Sequence, residues 1–436
     1  MIFQVRAVDP DSTVPSLVAV GLPENASFAD SGNGSGGFAF EPDSLQAGIH
    51  SVTFIASDDA LADSETVAIT VIALRTTTTW QLEFGGTGDE SAVGAVSVAD
   101  DGWIVGAQFP ARNAVEFYRV DLHGNLYWRR SVVVDGWWEK IASAGDGGVI
   151  LAGHTDDDRT LPRSFGCLLG IDSAAAKLWS SKVYTPSDLD NAVYSICATM
   201  DGGLVHVGWV MTGGMTARMS KFGGSGNWTR EYPDGLWFSD VAAVGNEGFA
   251  AVGAGFTDTS SQDLYVVRTG VSGIPIWERM FGGPHSEEAM ALVVTSDGGC
   301  VVAGNSLSGA TGPSDVYVVR VDDTGNKMWE HTYGGTSSDL VHAITRAGDA
   351  AFVIAGTTQS FGARGWDIYL IKIDASGNKV WERTFGGPKD ESTSSVSLAP
   401  DGGFLISGTT ASYGAGGTDI YLIKTDAMGQ VEAHMH

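Results

Sequence analysis

Cysteine, positive charge and long apolar runs are all scarce in this sequence. The 3 cysteines, Cys167, Cys197 and Cys300, lie in apolar, strand-like runs without a Cys-x-x-Cys spacing. This argues against a disulfide framework or a cysteine metal site and predicts three small core residues. No apolar run is long enough to cross a membrane as a helix, so membrane insertion is not expected.

Basic residues are outnumbered by acidic ones. Lys and Arg total 25 against 52 Asp and Glu, which gives a formal net charge of −27. Such a chain repels the phosphates of nucleic acids and anionic lipids, so neither is expected as a partner. Cations stay open as partners, and the charge also favours solubility. The start of the chain has no basic stretch followed by an apolar one, so no signal peptide is predicted.

Helical periodicity is also absent, whereas a tryptophan recurs about every fifty residues. We call these the anchor tryptophans: Trp80, Trp128, Trp179, Trp228, Trp277, Trp329 and Trp381. Each repeat holds four short strand-like runs separated by Gly-Gly, Asp-Gly-Gly and Asp-x-x-Gly turns. The pattern predicts an all-β fold, a seven-bladed β-propeller.

The anchor tryptophans are expected to fill the wide outer part of the wedge between blades, where most area is available. The last repeat lacks a Trp-bearing strand of its own. We therefore expect strand 77–84 to complete the seventh blade and close the ring. The propeller is assigned to residues 77–436, and residues 1–76 form a separate unit.

Residues 1–76 lack the Trp period and alternate like short strands. "VRAVDPDS" and "GIHSVTFIASDDALADSETVAITVI" resemble the putative-Ig and cadherin-like modules of surface proteins. The resemblance implies a small Ig-like β-sandwich without its leading strand, and so neighbouring domains of a longer chain. It also implies calcium as a cofactor, with Asp9, Asp11, Asp58 and Asp59 as candidate ligands. The alternative is that these residues form solvated turns.

The turns before the anchor tryptophans, such as "VDDTGNKMW" and "IDASGNKVW", are similar to those of quinoprotein-type propellers and to the sialidase Asp-box. The Asp–Gly spacing is one residue shorter than in the former. The whole repeat resembles a propeller repeat of secreted bacterial and archaeal surface proteins. That resemblance implies an extracellular or cell-surface setting but no single activity, because this fold hosts many.

The loops from one repeat to the next are expected to rim the central channel. Nine and ten residues after the anchor tryptophan, most repeats place acidic residues, whereas two place aromatic pairs. The candidate ligand-binding residues are Asp89, Glu90, Asp390, Glu391, Trp137, Trp138, Trp237, Phe238 and, on a neighbouring loop, Trp366. Carboxylates bind cations or sugar hydroxyls, and exposed indoles stack on sugar rings. The alternative is that these aromatic side chains pack under the loops.

Catalytic motifs are missing: there is no Gly-x-Ser-x-Gly, His-Glu-x-x-His or P-loop. The densest polar group, His154 with the acidic stretch 156–158 and Arg159, is a solvated loop or an acid–base site. The favoured function is a secreted or cell-surface binding, adhesion and scaffold protein that holds a glycan or a partner protein. A carbohydrate-active hydrolase or lyase, a quinoprotein-like enzyme and a purely structural surface-layer or filament component remain open.

Overall fold

The computed structural model describes residues 2–9, 13–23, 25–40, 48–58, 61–71, 78–98, 102–144, 147–156, 164–172, 177–183, 190–256, 261–308, 311–348 and 350–431. The chain divides into two compact units, Met1–Thr76 and Thr77–His436. In the described ranges, the regular secondary structure is β-strand, apart from one 3-10 turn at Pro110–Arg112. The all-β prediction is confirmed.

The N-terminal unit has two three-stranded antiparallel sheets in its described part. Its strands are β1 (Ile2–Arg6), β2 (Ser16–Val20), β3 (Ala26–Asp30), β4 (Ser35–Phe40), β5 (Gly48–Ser57) and β6 (Ala62–Val71). One sheet has the order β1-β4-β3 and the other β2-β5-β6. Phe38 of β4 and Phe54 of β5 are buried, with ring centroids 5.8 Å apart. The two sheets therefore share one aromatic core, as in a small sandwich.

The second unit contains, in the residues described, seven four-stranded antiparallel sheets, which we call blades 1 to 7. We call the strands of a blade a, b, c and d from the axis outward. Blades 1 to 3 comprise β8 (Ser91–Val98), β9 (Gly102–Phe109), β10 (Ala114–Asp121), β11 (Leu126–Val133); β12 (Trp137–Ser143), β13 (Val149–Asp156), β14 (Ser164–Ile171), β15 (Lys177–Val183); and β16 (Asp190–Ala198), β17 (Leu204–Met211), β18 (Met215–Phe222), β19 (Trp228–Tyr232).

Blades 4 to 7 repeat the same plan. They comprise β20 (Gly235–Ala243), β21 (Phe249–Phe256), β22 (Gln262–Thr269), β23 (Pro275–Phe281); β24 (Glu287–Val294), β25 (Cys300–Ser306), β26 (Asp315–Val321), β27 (Lys327–Tyr333); β28 (Asp339–Ala347), β29 (Ala351–Thr358), β30 (Asp367–Ile373), β31 (Lys379–Phe385); and β32 (Glu391–Leu398), β33 (Phe404–Thr410), β34 (Asp419–Thr425), β7 (Trp80–Phe84).

The blades form a closed ring. Strand a of each blade contacts strand a of the next, and β32 of blade 7 contacts β8 of blade 1. Blade 7 takes its strand d from the other end of the unit, because β7 pairs antiparallel with β34. Main-chain hydrogen bonds thus join the first propeller strand to the last, and the ring leaves no open junction between blades 7 and 1.

Each blade packs with both faces against its neighbours, which explains the nearly continuous apolar strands. In β30, Ile368 and Leu370 belong to the core shared with blade 7. Tyr369, Ile371 and Ile373 belong to the core shared with blade 5. Side chains alternate across a strand, so a strand buried on both faces must be apolar at successive positions.

The Asp-x-x-Gly turns and the anchor tryptophans form one interblade contact. The indole Nε1 of Trp277 in blade 4 donates to the carbonyl oxygen of Asp323 in the c–d turn of blade 5, at 2.8 Å. Asp322 closes that turn by accepting the N–H groups of Thr324 and Asn326. Gly325 has φ of 82°, and a Cβ there would meet the Trp277 ring. The turn thus needs glycine both for its left-handed backbone and for the indole.

Every strand a is interrupted by a β-bulge at the same level. One residue per blade is skipped in the pairing with strand b; these bulged residues are Val93, Glu139, Tyr194, Ser239, Met290, His342 and Ser394. Blades 2 to 7 place a glycine of strand b opposite the bulge. A Cβ on one of them, Gly356, would overlap the carbonyl oxygen of Leu340. The glycine therefore makes room for the bulge, which in turn re-aims a side chain.

This packing makes Gly356→Ala destabilising. The added methyl meets main-chain atoms of β28, which cannot rotate away, so we expect the free energy of unfolding to fall by about 1–3 kcal/mol. Urea denaturation of the purified chain measures it. Gly213→Ala is the matched control, because no atom lies within 4 Å of its Cβ position. Equal stabilities of the two variants would contradict this account of the bulge.

Candidate functional site

A cavity of about 640 Å³ lies where the strands a begin, on the propeller axis. Blades 1 to 7 all contribute to its wall, and each of the bulged residues lines it. The further lining residues on strands a are Ser91, Ala92, Trp138, Lys140, Trp237, Glu288, Ser392 and Thr393. The repeated bulge therefore turns one side chain per blade into a common space, and this cavity is the candidate functional site.

Aromatic side chains concentrate on the side of the cavity formed by blades 3 and 4. Tyr194, Trp209 and Trp237 are half-buried and line the wall. The indole Nε1 of Trp209 donates to the hydroxyl of Tyr194 at 3.0 Å, which orients the two rings relative to each other. Met215 and Met290 extend the apolar surface next to them. This side offers flat, partly exposed ring faces to a ligand.

Polar side chains occupy other positions on the wall. Glu139 is exposed, and its Oε1 lies 3.6 Å from Nδ1 of His154. The Glu288 carboxylate accepts a hydrogen bond from the Asn305 amide at 3.2 Å. Burial lowers the pKa of His342, so its imidazole is neutral at physiological pH. The cavity thus offers two carboxylates and a neutral imidazole beside its aromatic side.

The two bulged serines that line the cavity also tie neighbouring blades together. The Ser239 hydroxyl of blade 4 donates to the carbonyl oxygen of Ala289 in blade 5 at 2.5 Å. Ser394 of blade 7 does the same to Ala92 of blade 1 at 2.7 Å. These bonds fix the spacing of neighbouring strands a, which holds the cavity wall rigid.

A buried aspartate connects four blades next to the cavity. Oδ1 of Asp240 in blade 4 lies 3.2 Å from Nζ of Lys140 in blade 2 and accepts the hydroxyl of Ser195 in blade 3 at 2.7 Å. Its Oδ2 accepts the N–H of Leu292 in blade 5 at 3.1 Å. Since Lys140 also lines the cavity, this polar centre fixes a cationic group in the wall.

The aromatic pairs predicted to face a ligand do so only in part. Trp237 lines the cavity, and Trp137 is 49% exposed but is not part of the cavity wall. Trp138 also lines the cavity but is only 3% exposed, because most of its ring packs between blades. Phe238 is fully buried and does not line the cavity, so the expectation that it meets a ligand there is wrong. The loop before strand a is shorter in blades 2 and 4, so counting from the anchor tryptophan lands on core positions. Trp366 is half-buried on its loop, and no part of it lines the cavity.

The predicted acidic rim is largely a set of structural contacts. Asp89 and Asp390 are exposed, and each accepts a main-chain N–H from the preceding blade, that of Thr418 at 3.1 Å and that of Trp366 at 2.9 Å. Glu90 and Glu391 are buried and do not line the cavity, so the expectation that they meet a ligand at the channel mouth is wrong. Their carboxylates instead hold the Gly-Gly turn that precedes them.

Glu391 shows how this turn is held. Its Oε2 accepts the N–H of Gly387 at 2.9 Å, and its Oε1 accepts the hydroxyl of Thr410 at 2.7 Å. Asp367 of the preceding blade converges on the same turn, since a Cβ on Gly386 would overlap Oδ1 of Asp367 and Oε2 of Glu391. Burial, together with the nearby carboxylate of Glu391, raises the pKa of Asp367 to about 6. Two buried carboxylates therefore meet at one junction between blades.

The remaining predicted sites lie only in part within the described residues. Asp9 accepts the Thr13 hydroxyl at 2.6 Å, and Asp58 accepts the Leu61 N–H at 2.7 Å, on a groove of about 820 Å³ in the N-terminal unit. Asp11, Asp59 and Arg159 lie outside the described residues, so the calcium and acid–base sites there stay predictions. Across the described ranges no group of three or more His, Cys, Asp or Glu suits a metal ion, and no helix is long and apolar enough for a bilayer.

The raised pKa of Asp367 predicts how the free energy of unfolding depends on pH. Because the pKa is higher in the folded than in the unfolded chain, this carboxyl stabilises the fold most below its unfolded value, 3.8, and loses that contribution as pH rises through about 6. From pH 7.5 to pH 5 in metal-free buffer, we expect the wild type to gain about 1 kcal/mol relative to Asp367→Asn. Urea titrations at both pH values measure the difference.

The groups that face Asp367 are acidic, Glu391 and Asp390, and neither is replaced in this comparison. A difference between wild type and variant that is independent of pH would contradict the assigned environment. So would a difference that moves in favour of the variant on acidification.

Comparison with known proteins finds distant likeness. No protein-family model matches the chain. The regulatory protein FlaEY of Caulobacter vibrioides is 25% identical over 175 residues, which cover 33% of this chain and 18% of that protein. The chain therefore spans less than a fifth of that curated relative's length.

Among solved structures, the β-propeller domain of the Trilobed protease from Pyrococcus furiosus is 12% identical, with a TM-score of 0.42, over 80% of this chain and 95% of that domain. A polysaccharide lyase, an ulvan lyase, is 13% identical, with a TM-score of 0.49, over 79% of this chain and 96% of that one. These likenesses concern the propeller fold, which proteins of different activities share.

Proposed function

We propose that the chain is a binding module of an extracellular or cell-surface protein, and that its central cavity holds part of a glycan. The observation that carries the proposal is the ring of bulged residues around the cavity, one from each blade. The β-bulge recurs in every blade and directs side chains of different chemistry into one cavity. The result is a preorganised site on a rigid scaffold.

The composition of the wall favours a sugar over an apolar ligand. Tyr194, Trp209 and Trp237 offer ring faces, on which the C–H face of a pyranose stacks. Glu139 and Glu288 accept hydrogen bonds from hydroxyl groups. The net charge of −27 disfavours polyanionic partners, so we expect a neutral glycan.

The rigidity of the wall also supports binding. Ser239, Ser394 and Asp240 fix neighbouring strands a through hydrogen bonds, so the cavity is shaped before a ligand arrives. A preformed site loses little conformational entropy on binding. The closed ring is also consistent with a scaffold role, because the pairing of β34 with β7 joins the two ends of the propeller.

Trp237→Ala tests the proposal on an array of neutral and acidic oligosaccharides. We expect wild-type signal for neutral glycans and a loss of about tenfold or more in affinity for the variant, since stacking on one ring face contributes on that order. Tyr127→Ala is the matched control, because Tyr127 is 65% exposed on strand d of blade 1 and far along the sheet from the axis. This control is expected to bind like the wild type.

Glu288→Gln is a second variant, and it keeps the shape of the cavity wall. It tests the proposal independently if Trp237→Ala fails to fold. We expect it to weaken the same signals while the thermal transition stays unchanged. Unaltered binding by both cavity variants, or no array signal for the wild type, would overturn the glycan proposal. Release of shortened oligosaccharides would indicate a cleaving enzyme instead.

A further inference from the structure

Buried carboxylates form pairs at four successive blade junctions. Each pair joins an aspartate at the start of strand c to an acidic residue that leads into strand a of the next blade. The pairs are Asp263 with Glu287, Asp315 with Asp339, Asp367 with Glu391, and Asp419 with Glu90. All eight residues are buried, with at most 6% of their surface exposed.

Within each pair, two carboxylate oxygens converge on the first glycine of the Gly-Gly turn. A Cβ on Gly334 would meet Oδ1 of Asp315 and Oδ2 of Asp339, and the latter lies 2.7 Å from that position. Gly85 stands in the same relation to Oδ1 of Asp419 and to Oε2 of Glu90, again at 2.7 Å. Gly282 lies in the same way between Asp263 and Glu287, so the same local geometry is built four times, once per junction.

The acidic residue before strand a accepts hydrogen bonds at both of its carboxyl oxygens, as Glu391 shows. The Thr410 hydroxyl oxygen already accepts the N–H groups of Ser412 and Tyr413, so its proton points to Oε1 of Glu391. Oε2 of Glu391 accepts the N–H of Gly387 at 2.9 Å. The protein thus positions this carboxyl group through both of its oxygens.

The partner aspartate at the junction of blades 5 and 6, Asp315, offers an oxygen that no described protein group satisfies. Its Oδ2 accepts the N–H of Thr311 at 2.7 Å, whereas its Oδ1 is buried and has no hydrogen-bond donor among the described residues. At this junction and the two that follow it, none of the paired carboxylates forms an ion pair with a described Lys, Arg or His. Two buried carboxylates this close are costly unless a positive charge lies between them.

We propose that the junctions between blades 4 and 5, 5 and 6, 6 and 7, and 7 and 1 are equivalent binding sites for an oxygen-preferring divalent cation of the calcium type. One carboxylate oxygen comes from strand c and one from the following d–a loop. Ca²⁺ takes oxygen ligands at about 2.3–2.6 Å and accepts main-chain carbonyls and water beside carboxylates. The site would join neighbouring blades where the Gly-Gly turn brings them together, a role separate from that of the central cavity.

Isothermal titration of the full chain with CaCl₂ after EDTA treatment tests the inference. We expect about four equivalents of Ca²⁺ to bind, and saturating Ca²⁺ to raise the Tm by several degrees, because a ligand that binds only the folded state stabilises it. The combined variant Asp263→Asn, Asp315→Asn, Asp367→Asn and Asp419→Asn is expected to lose these equivalents and the shift. Asparagine keeps an oxygen for the N–H bonds, and circular dichroism in EDTA verifies folding.

Asp63→Asn with Glu65→Gln is the matched control, since it removes two exposed carboxylates that are not among the candidate calcium ligands and leaves the junctions intact. It is expected to keep the four equivalents and the Tm shift. An absence of Ca²⁺ binding by the wild type would overturn the inference and indicate that each pair holds a proton. Ca²⁺ binding that survives in the combined variant and disappears in the control would place the cation elsewhere and overturn it as well.

Discussion

The contact between a strand-a bulge and a glycine of strand b determines the inner architecture of this propeller. The bulge brings the main chain of strand a so close to strand b that a side chain at Gly153, Gly208 or Gly356 would overlap a carbonyl oxygen. Because the same arrangement recurs around the ring, the bulged side chains meet at one level of the axis. The cavity is therefore a consequence of backbone geometry, and its chemistry is set separately in each blade.

The outer architecture depends on a second repeated contact, between an anchor tryptophan and the turn of the next blade. Trp80, Trp228 and Trp329 each donate an indole N–H to a main-chain carbonyl of the following c–d turn. The contact for Trp80 runs from blade 7 to blade 1, so it reinforces the closure made by β7. Interblade contacts at the outer edge and hydrogen bonds at the axis together hold a cavity wall that needs no ligand for its shape.

The fold could be predicted from the sequence because its determinants are local and periodic. An anchor tryptophan and a doubly apolar strand such as Asp367–Ile373 recur around the ring, and four repeats add an Asp-x-x-Gly turn. Each of these features has a direct physical meaning. The seven-bladed all-β architecture is confirmed on that basis. The sequence also places strand 77–84 in the last blade, and the structure pairs Trp80–Phe84 with Asp419–Thr425.

The site could be predicted less well, because it depends on registers that spacing does not reveal. Counting from the anchor tryptophan assumes loops of equal length, and the shorter loops of blades 2 and 4 bring Trp138 and Phe238 into the core. The burial of Glu90 and Glu391 could not be predicted from the sequence either, because an acidic residue after a Gly-Gly turn is usually exposed to solvent.

Tyr194, Trp209 and His342 were missed. The sequence signal for the bulge is the glycine in the middle of strand b. It would have located the bulged residue opposite it in strand a, and so Tyr194 and His342. Trp209 lies on strand b itself, next to such a glycine, Gly208.

Crystals of the full chain soaked with a neutral oligosaccharide that scores on the array would test the central claim most directly. The account predicts difference density inside the ring of bulged residues, with a sugar ring stacked on Trp237 and its hydroxyls near Glu288. Density bound only on the outer strands or on the N-terminal unit, with the cavity unchanged, would contradict it.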